Sequence, residues 1–363
     1  MVVVECEEKP NNNLQQKKNK KKKSKKKMKM AMRKKTNEYG LVTYEELPEY
    51  MKENEYIRGY YRSEWPLLHA CHSLFSWHNE TINIWTHLVG FFVFLGFTLL
   101  HMGLVPRLAD FFGNLPWSIS SSSVKNVSCN QATFFSVASA LIKLDQQPIS
   151  SSGAAAAAAA GARAARWPFF VFLAGSMFCL LTSSLCHLLC CHSRRLNVLL
   201  SRLDYAGIAV MIVCSFFPPI YYIFQCTPLF QLLYLLGISA LGVLTVLALL
   251  SPELSQGRFR SYRALLFLCM GLSGVVPAVH ATVANWSEPR RNVTLACEGA
   301  MAASYITGTL FYVTRVPERW KPGTFDLTGH SHQIFHVFVI GGALAHYAAG
   351  LVFLDYRDVV GCT

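Results

Sequence analysis

The chain has 363 residues, of which 52% are hydrophobic and 15% are charged. The apolar residues lie in blocks of about 20, the length with which a helix crosses the hydrocarbon core of a membrane, which excludes a typical soluble domain. Of the 34 Lys and Arg, 13 lie between Lys17 and Lys35, where no acidic residue occurs. The formal net charge of +13 therefore belongs to a tail, which argues against nucleic acid as a partner.

The part of the chain before the apolar blocks has two predicted segments. Residues 1–38 are rich in Asn, Gln and Lys, which predicts a disordered cytosolic tail, either solvated or weakly bound to anionic lipid. Their charge predicts that no cleavable signal peptide is present. Residues 39–81 are predicted to be cytosolic or interfacial, with an amphipathic helix over Trp65–Trp77 at the membrane interface. A short cytosolic helix packed under the bundle is the alternative.

The apolar blocks predict an all-α membrane protein, a bundle of seven transmembrane helices over residues 82–354. The sixth block is the weakest, because it starts near Glu298 and is rich in Gly and Ala. A long outer loop, residues 105–167, separates the first two spans, and residues 355–363 form a short outer tail. The predicted spans are Ile82–Leu104, Pro168–Cys191, Tyr205–Phe224, Leu229–Leu250, Ala264–Ala284, Ala296–Val313 and His332–Leu354.

The charges of the short loops predict the orientation. The loops after spans two, four and six carry Arg or Lys, whereas the loop after span three, residues 225–228, carries none. The positive-inside rule then predicts a cytosolic N-terminus and an outside C-terminus. Sequons at Asn126, Asn285 and Asn292 fall on the outer side, where glycosylation occurs. This orientation argues against a G-protein-coupled receptor, whose N-terminus lies outside.

A candidate metal site opens the seventh span. His332 and His336 are four residues apart, so on a helix they share one face. The spacing alone is a weak signal, because two histidines at a helix start are also found simply at the membrane interface. His187, near the inner end of span two, lies at the same predicted depth. Three histidines leave a fourth zinc position for water or substrate, the arrangement of catalytic zinc sites.

Two other polar side chains are predicted at the same depth. Asp204, before span three, is predicted to hold a water molecule or accept a proton, and Ser183, one turn before His187, to steady that water or an oxyanion. The alternative for Asp204 is an interfacial ion pair with Arg202. The remaining membrane histidines are expected to be solvated, packed or hydrogen-bonded: His192, His280, His330 and His346.

The 12 cysteines do not form the pattern of a secreted disulfide framework. Several lie in or beside the apolar blocks, where cysteine behaves as a small hydrophobic residue. Metal ligation by Cys186, Cys190 or Cys191 is the alternative.

These motifs resemble those of the progestin and adipoQ receptor family, which includes the adiponectin receptors and the plant heptahelical transmembrane proteins. The resemblance covers nearly all of residues 54–357, and residues 55–66 look most like the plant branch. The matching motifs are His78–His87, Ser183–His187, Leu203–Gly207, Gly271–Pro277, Arg315–Arg319 and Ser331–His336.

The resemblance implies a zinc ion held by His187, His332 and His336, with Asp204 and Ser183 beside it. It implies a receptor-like membrane protein in hormone, sugar or stress signalling, or an intramembrane zinc hydrolase that cleaves a lipid amide as ceramidases do. The expected partners are membrane lipids and a lipid amide or small ligand. The long outer loop and the Lys-rich tail depart from the animal receptors, so an extracellular protein ligand is not carried over. A transporter is disfavoured, because the sequence shows no inverted repeat.

Overall fold

The computed structural model describes residues 39–103, 164–251, 254 and 257–360, and these residues are mainly helical. They contain one isolated antiparallel bridge, between Val42 and Tyr61. The predictions for residues 1–38 and for most of the long outer loop lie outside the described residues. The described α-helices are α1 (Leu67–His72), α2 (Thr81–His101), α3 (Trp167–Leu189), α4 (Arg194–Ile223), α5 (Pro228–Leu249), α6 (Arg260–Leu272), α7 (Val275–Ala284), α8 (Arg290–Thr314) and α9 (Ser331–Val359).

Six helical segments of the described chain are long and apolar enough to cross a membrane, judged by length and composition. They are α2, α3, α4, α5, the α6–α7 pair taken together, and α9. The sixth predicted span corresponds to α8, a helix of 25 residues that is not among the six. Its Gly, Ala, Ser and Thr residues, together with Glu298, lower its mean hydropathy. The structure thus agrees with a helical membrane bundle. That α8 also crosses the membrane, which would bring the number of spans to seven, stays a prediction.

The helices of the third and fifth predicted spans differ from the prediction in where they start and in continuity. The helix of the third span starts at Arg194 rather than near Tyr205, because several polar turns continue the helix beyond the apolar block. Asp204 therefore lies inside a helix of 30 residues and not in front of one. The fifth predicted span is divided at Ser273 and Gly274 into α6 and α7.

Close helix packing in the bundle depends on glycines. A Cβ added to Gly175 of α3 would lie 2.5 Å from Cβ of Cys214 on α4, which has no freedom to move away. A Cβ on Gly342 of α9 would lie 2.5 Å from the ring of Tyr305 on α8. Small residues of this kind let membrane helices approach closely without a hydrophobic driving force. The main core cluster lies among α2, α3, α4 and α9, around residues such as Phe94, Phe169, Phe172 and Leu180.

Residues 39–66 and 315–330 together form a substructure that we call the cap. It covers the end of the bundle at which α3 ends and α9 begins. Its own small core contains Leu47, Ile57 and Tyr61. The two parts are joined by hydrogen bonds, including one of 3.0 Å from the Arg58 backbone N–H to Oδ1 of the buried Asp326. The cap therefore fixes the helix ends that carry the predicted site.

The segment predicted as an interfacial helix is shorter than expected. Pro66 precedes the six-residue α1, and a 3-10 turn over Ser73–Phe75 follows it. Phe75 and Trp77 are largely exposed, and Leu68 is exposed beside them. This apolar edge lies at the cap end of the bundle, which is consistent with contact with the membrane interface.

Candidate metal centre

The three predicted histidine ligands come together at the cap end of the bundle. One ring nitrogen from each of His187, His332 and His336 lies within 4.8 Å of the others. His187 is in the last turn of α3, and the other two are in the first turns of α9. The two Nε2 atoms of His187 and His332 are 3.2 Å apart. Three imidazoles converging in this way fit the donor set of a zinc site with one open position.

Two of the rings are oriented by hydrogen bonds from their other nitrogen. Nδ1 of His187 lies 2.8 Å from Oε2 of Glu80, at the start of α2. Nδ1 of His336 lies 3.2 Å from the carbonyl oxygen of Asn83. When Nδ1 donates to these oxygens, Nε2 of each ring keeps its lone pair for a metal. Such partners fix the tautomer and the orientation of metal-binding histidines, so α2 acts as the support of the site.

The carboxylate of Glu80 is stabilised in its ionised form. Burial alone would raise the pKa of Glu80. His187, through its charge and its hydrogen bond, and Asn83, through a further hydrogen bond, instead hold the pKa of Glu80 below its usual range. The Asn83 Nδ2 group donates to Oε2 over 2.6 Å. A fixed negative charge therefore stands behind His187, where it favours the binding of a cation.

The turn before α2 is held by a neutral histidine. Burial lowers the pKa of His78 to about 4. Its Nε2 lies 3.2 Å from the carbonyl oxygen of Ser73, and its Nδ1 accepts a hydrogen bond of 3.1 Å from the Glu80 backbone N–H. His78 thus fixes the backbone that carries Glu80.

The predicted pair Ser183 and Asp204 lies beside the histidines. Ser183 is on α3 and Asp204 is on α4. Both line a cavity of about 420 Å³ that also touches His332 and His336. Asp204 and Ser183 thus face the same cavity as two of the predicted metal ligands.

The cavity extends from the histidines through the bundle. Apart from a few polar groups its walls are apolar, formed by residues of α4, α6, α7, α8 and α9. A second cavity of about 150 Å³ lies on the cap side and is lined by His187 and Glu80. Asp204 and His332 line both cavities and therefore lie between them.

Buried side chains of the cap secure the helix ends that carry the histidines. Arg62 is 2% exposed and donates to the carbonyl oxygens of His187 and Leu188, over 2.7 and 2.9 Å. Glu318 is fully buried and accepts a hydrogen bond of 2.8 Å from the backbone N–H of Ser331, the first residue of α9. The positive charge of Arg62 thus lies at the C-terminus of α3 and the negative charge of Glu318 at the N-terminus of α9, and each sign is the one that stabilises that helix end.

The other membrane histidines have the packed or hydrogen-bonded roles expected for them. Nδ1 of His192 lies 2.8 Å from the carbonyl oxygen of Trp65, and Nε2 of His330 lies 3.3 Å from that of Asn79. Nδ1 of His280 lies 2.9 Å from the hydroxyl of Tyr234. His346 pairs with Glu298.

Most of the described cysteines are free, as expected. Cys186, Cys190 and Cys191 are among these, and none of them belongs to the group of converging metal-type ligands in the described residues. Cys226, between α4 and α5, is an exception because it is disulfide-bonded. It lies at the end of the bundle opposite the cap.

Sequence reasoning missed the contribution of α2. Glu80, Asn83 and His87 were quoted only as part of a motif, although the spacing of three and four residues places them on one helical face. The ring of His87 stacks on that of His336 with centroids 3.6 Å apart, and neither of its nitrogens has a hydrogen-bond partner among the described residues. That face of α2 was the signal available in the sequence.

Comparison with known proteins identifies the family. A family model described as "Haemolysin-III related" matches residues 75–347. The chain belongs to this family. The predicted relation to the progestin and adipoQ receptor family is thereby confirmed, and with the six apolar helical segments the chain is an integral, multi-pass membrane protein.

Named relatives of the chain come from plants and from an insect. It is 64% identical over 333 residues to the "Heptahelical transmembrane protein ADIPOR1" of Oryza sativa subsp. japonica, covering 90% of this chain and 88% of that protein. It is 52% identical over 322 residues to the "Heptahelical transmembrane protein 1" of Arabidopsis thaliana, covering 89% and 83%. It is 34% identical over 306 residues to the "Adiponectin receptor protein" of Drosophila melanogaster, covering 84% and 57%.

Proposed function

We propose that the chain is a receptor-like heptahelical membrane protein of the adiponectin receptor type, with zinc bound by His187, His332 and His336 near the cytosolic face. The observation that supports the proposal is the convergence of ring nitrogens of these three histidines within 4.8 Å at the cap end of an apolar cavity. The names of the plant and insect relatives support the receptor-like role. The proposed output is hormone, sugar or stress signalling.

We further propose that the chain crosses the membrane seven times. In this arrangement α8 is the sixth span in chain order, added to the six apolar segments, and the cap lies in the cytosol. The helix α8 is long enough to cross the membrane and packs beside α9 through Gly308 and Gly342. Arg194 and Arg195 in the first turn of α4 and the basic loop that starts at Arg315 lie at the cap end, as the positive-inside rule requires. The disulfide-bonded Cys226 at the opposite end is consistent with an oxidising outer compartment.

Removal of the metal is the first test of this proposal. In purified protein reconstituted in lipid, a zinc chelator is expected to lower the melting temperature by about 4 °C, because zinc at a hundredfold excess over its Kd stabilises the protein by about 2.7 kcal/mol. Added zinc should restore the original value. His332→Ala should abolish the response, and His280→Ala, which alters a histidine outside the site, should keep it. An unchanged melting temperature under chelation would contradict the proposal.

A second candidate function is zinc-dependent hydrolysis of a lipid amide. The specific observation that favours it is that Asp204 and Ser183 line the same cavity as His332 and His336. The cavity beyond the pair is apolar, as a site for a lipid chain requires.

The residues of the site would divide the work of amide hydrolysis. Zinc bound at the histidines would supply Lewis acidity. Asp204 would accept the proton of the attacking water and deliver it to the leaving amine. Ser183 would donate a hydrogen bond to the developing oxyanion. The apolar cavity would hold the acyl chain and exclude bulk water.

Turnover by an Asp204 variant tests this second function. Wild-type protein in lipid is expected to release fatty acid from a fluorescent ceramide, and Asp204→Asn to reduce the rate about 100-fold with zinc content unchanged, because a positioned acid–base group contributes about that much. Asp355→Asn, which removes a carboxylate at the opposite end of the bundle, is the matched control and should keep the wild-type rate. Equal turnover by Asp204→Asn and wild type would rule out the proposed proton transfer.

A further inference from the structure

The apolar cavity carries a second polar position, far from the histidines. Glu298 of α8 and His346 of α9 both line the cavity. Nδ1 of His346 lies 3.1 Å from Oε2 of Glu298, to which it is hydrogen-bonded, and 2.9 Å from Oε1. The side chain of His346 is 2% exposed and that of Glu298 is 25% exposed. Glu298 is therefore the more accessible member of the pair.

One polar atom of this pair, the buried Nε2 of His346, has no hydrogen-bond partner among the described residues. Oε1 of Glu298 lies against Nδ1 of His346, at 2.9 Å. The surroundings offer little compensation, since the imidazole packs edge to face against Phe172 at 4.7 Å. Buried polar atoms of this kind are costly, and ionisable groups within a membrane bundle usually serve a ligand or a pathway.

A purely structural role explains the pair poorly. The helices that it connects already pack closely, because Gly308 of α8 and Gly342 of α9 leave no room for a Cβ against the neighbouring helix. An apolar pair at these positions would join the helices without leaving unpartnered polar atoms. A ligand in the cavity would explain why a polar pair occurs at these positions.

The distance between the candidate metal centre and the Glu298–His346 pair determines which part of a bound lipid lies beside the pair. His346 follows His336 by ten residues on the same helix, a rise of about 15 Å, and His332 by fourteen, a rise of about 21 Å. A lipid whose carbonyl group lies at the histidines would reach Glu298 with the far part of its chain. An unsubstituted hydrocarbon chain would leave Nε2 of His346 without a partner at that depth.

We propose that the pair Glu298–His346 is a binding position for a hydroxyl group on the distal part of a long acyl chain, so that the cavity selects hydroxylated over unsubstituted chains. A hydroxyl donates to Nε2 of His346 or to the carboxylate of Glu298, which holds the imidazole through Nδ1. An ammonium group fits less well, because Glu298 already has the imidazole as its partner. The proposal deepens the proposed function, on which it rests for the statement that the cavity holds a lipid chain.

Competition binding tests the proposal without any turnover. The purified full chain in lipid is loaded with radiolabelled hexadecanoic acid, which is displaced either by hexadecanoic acid or by ω-hydroxyhexadecanoic acid. A second pair of competitors carries the same two chains as the acyl group of a ceramide, which distinguishes a free acid from a complex lipid. We expect the hydroxylated member of at least one pair to displace the probe about tenfold more effectively, since a hydrogen bond to a charged group is worth about that factor.

The variants assign the preference to the pair. Glu298→Leu should reduce the ratio to about one while keeping affinity for the unsubstituted chain, whereas Glu298→Gln, which keeps a hydrogen-bonding group, should retain part of it. Thr309→Val, which removes a hydroxyl from the same helix and the same cavity, is the matched control and should keep the wild-type ratio. If Glu298→Leu does not fold, the wild-type ratio and Glu298→Gln still decide the question.

Each outcome has a definite meaning. A ratio of one in wild type for both pairs, or a tenfold ratio retained in Glu298→Leu, would overturn the proposal, as would a failure of all four competitors to displace or bind. Loss of the chelator response or of ceramide turnover would instead overturn the proposed metal centre or its chemistry, and would leave the chain preference intact. The two failures are therefore distinguishable.

Discussion

Arg62→Met is expected to lower the free energy of unfolding by about 3–4 kcal/mol and to weaken zinc binding at the same time. The guanidinium of Arg62 is buried and donates to the carbonyl oxygens of His187 and Leu188 and to Oγ of Ser73. Methionine has similar length but no donor, so these buried acceptors lose their partners, each at a cost of about 1–3 kcal/mol. Because His187 lies in the last turn of α3, whose end Arg62 caps, its ring should also lose its fixed position.

Thermal or denaturant unfolding of the purified protein, together with zinc titration, measures both effects. Arg58→Met is the matched control, since the side chain of Arg58 in the same segment is half exposed and forms a surface ion pair with Glu45, while its backbone hydrogen bond to Asp326 is kept in the variant. We expect it to change stability by less than about 1 kcal/mol and to leave zinc affinity unaltered. Equal effects of the two substitutions would show that the Arg62 contacts contribute nothing specific.

Glu318→Ala is expected to destabilise the protein by about 3–5 kcal/mol. The carboxylate of Glu318 accepts hydrogen bonds from the backbone N–H and hydroxyl of Ser331 and from Nδ2 of Asn54. Its removal leaves three donors without a partner in a buried place and takes a negative charge from the N-terminus of α9. Since His332 follows Ser331 directly, the first turn of α9 should loosen and zinc should be lost more readily.

The measurement is again the unfolding transition with and without added zinc. Glu45→Ala, which removes an exposed carboxylate from the cap, serves as the control and should change stability by less than about 1 kcal/mol. A Glu318→Ala protein with wild-type stability and unchanged zinc affinity would mean that the cap does not determine the geometry of the site.

The order of the spans and the three histidines could be predicted from sequence because their signals are local. Apolar blocks of helical length and the spacing of His332 and His336 are both readable without a structure. The depth of His187 followed from the order of the spans. These are properties of short segments, and the structure brings their residues together as expected.

The supporting contacts could not be predicted, because they join residues far apart in the chain. Glu80 reaches His187, and Arg62 reaches the same helix end, across more than 100 positions. Nothing local marks either residue as a partner of α3. The early start of α4 at Arg194 was missed for a different reason, since polar turns that extend a helix outside the membrane carry no hydropathy signal.

Zinc content of purified protein tests the central claim most directly. Elemental analysis of wild-type protein should find about one zinc ion per chain, as three imidazoles and one open position imply. The double variant His187→Ala, His332→Ala should contain almost none. The double variant His192→Ala, His280→Ala, which removes two histidines outside the site, should match wild type. Wild-type zinc content in the first double variant would contradict the assignment of these histidines as ligands.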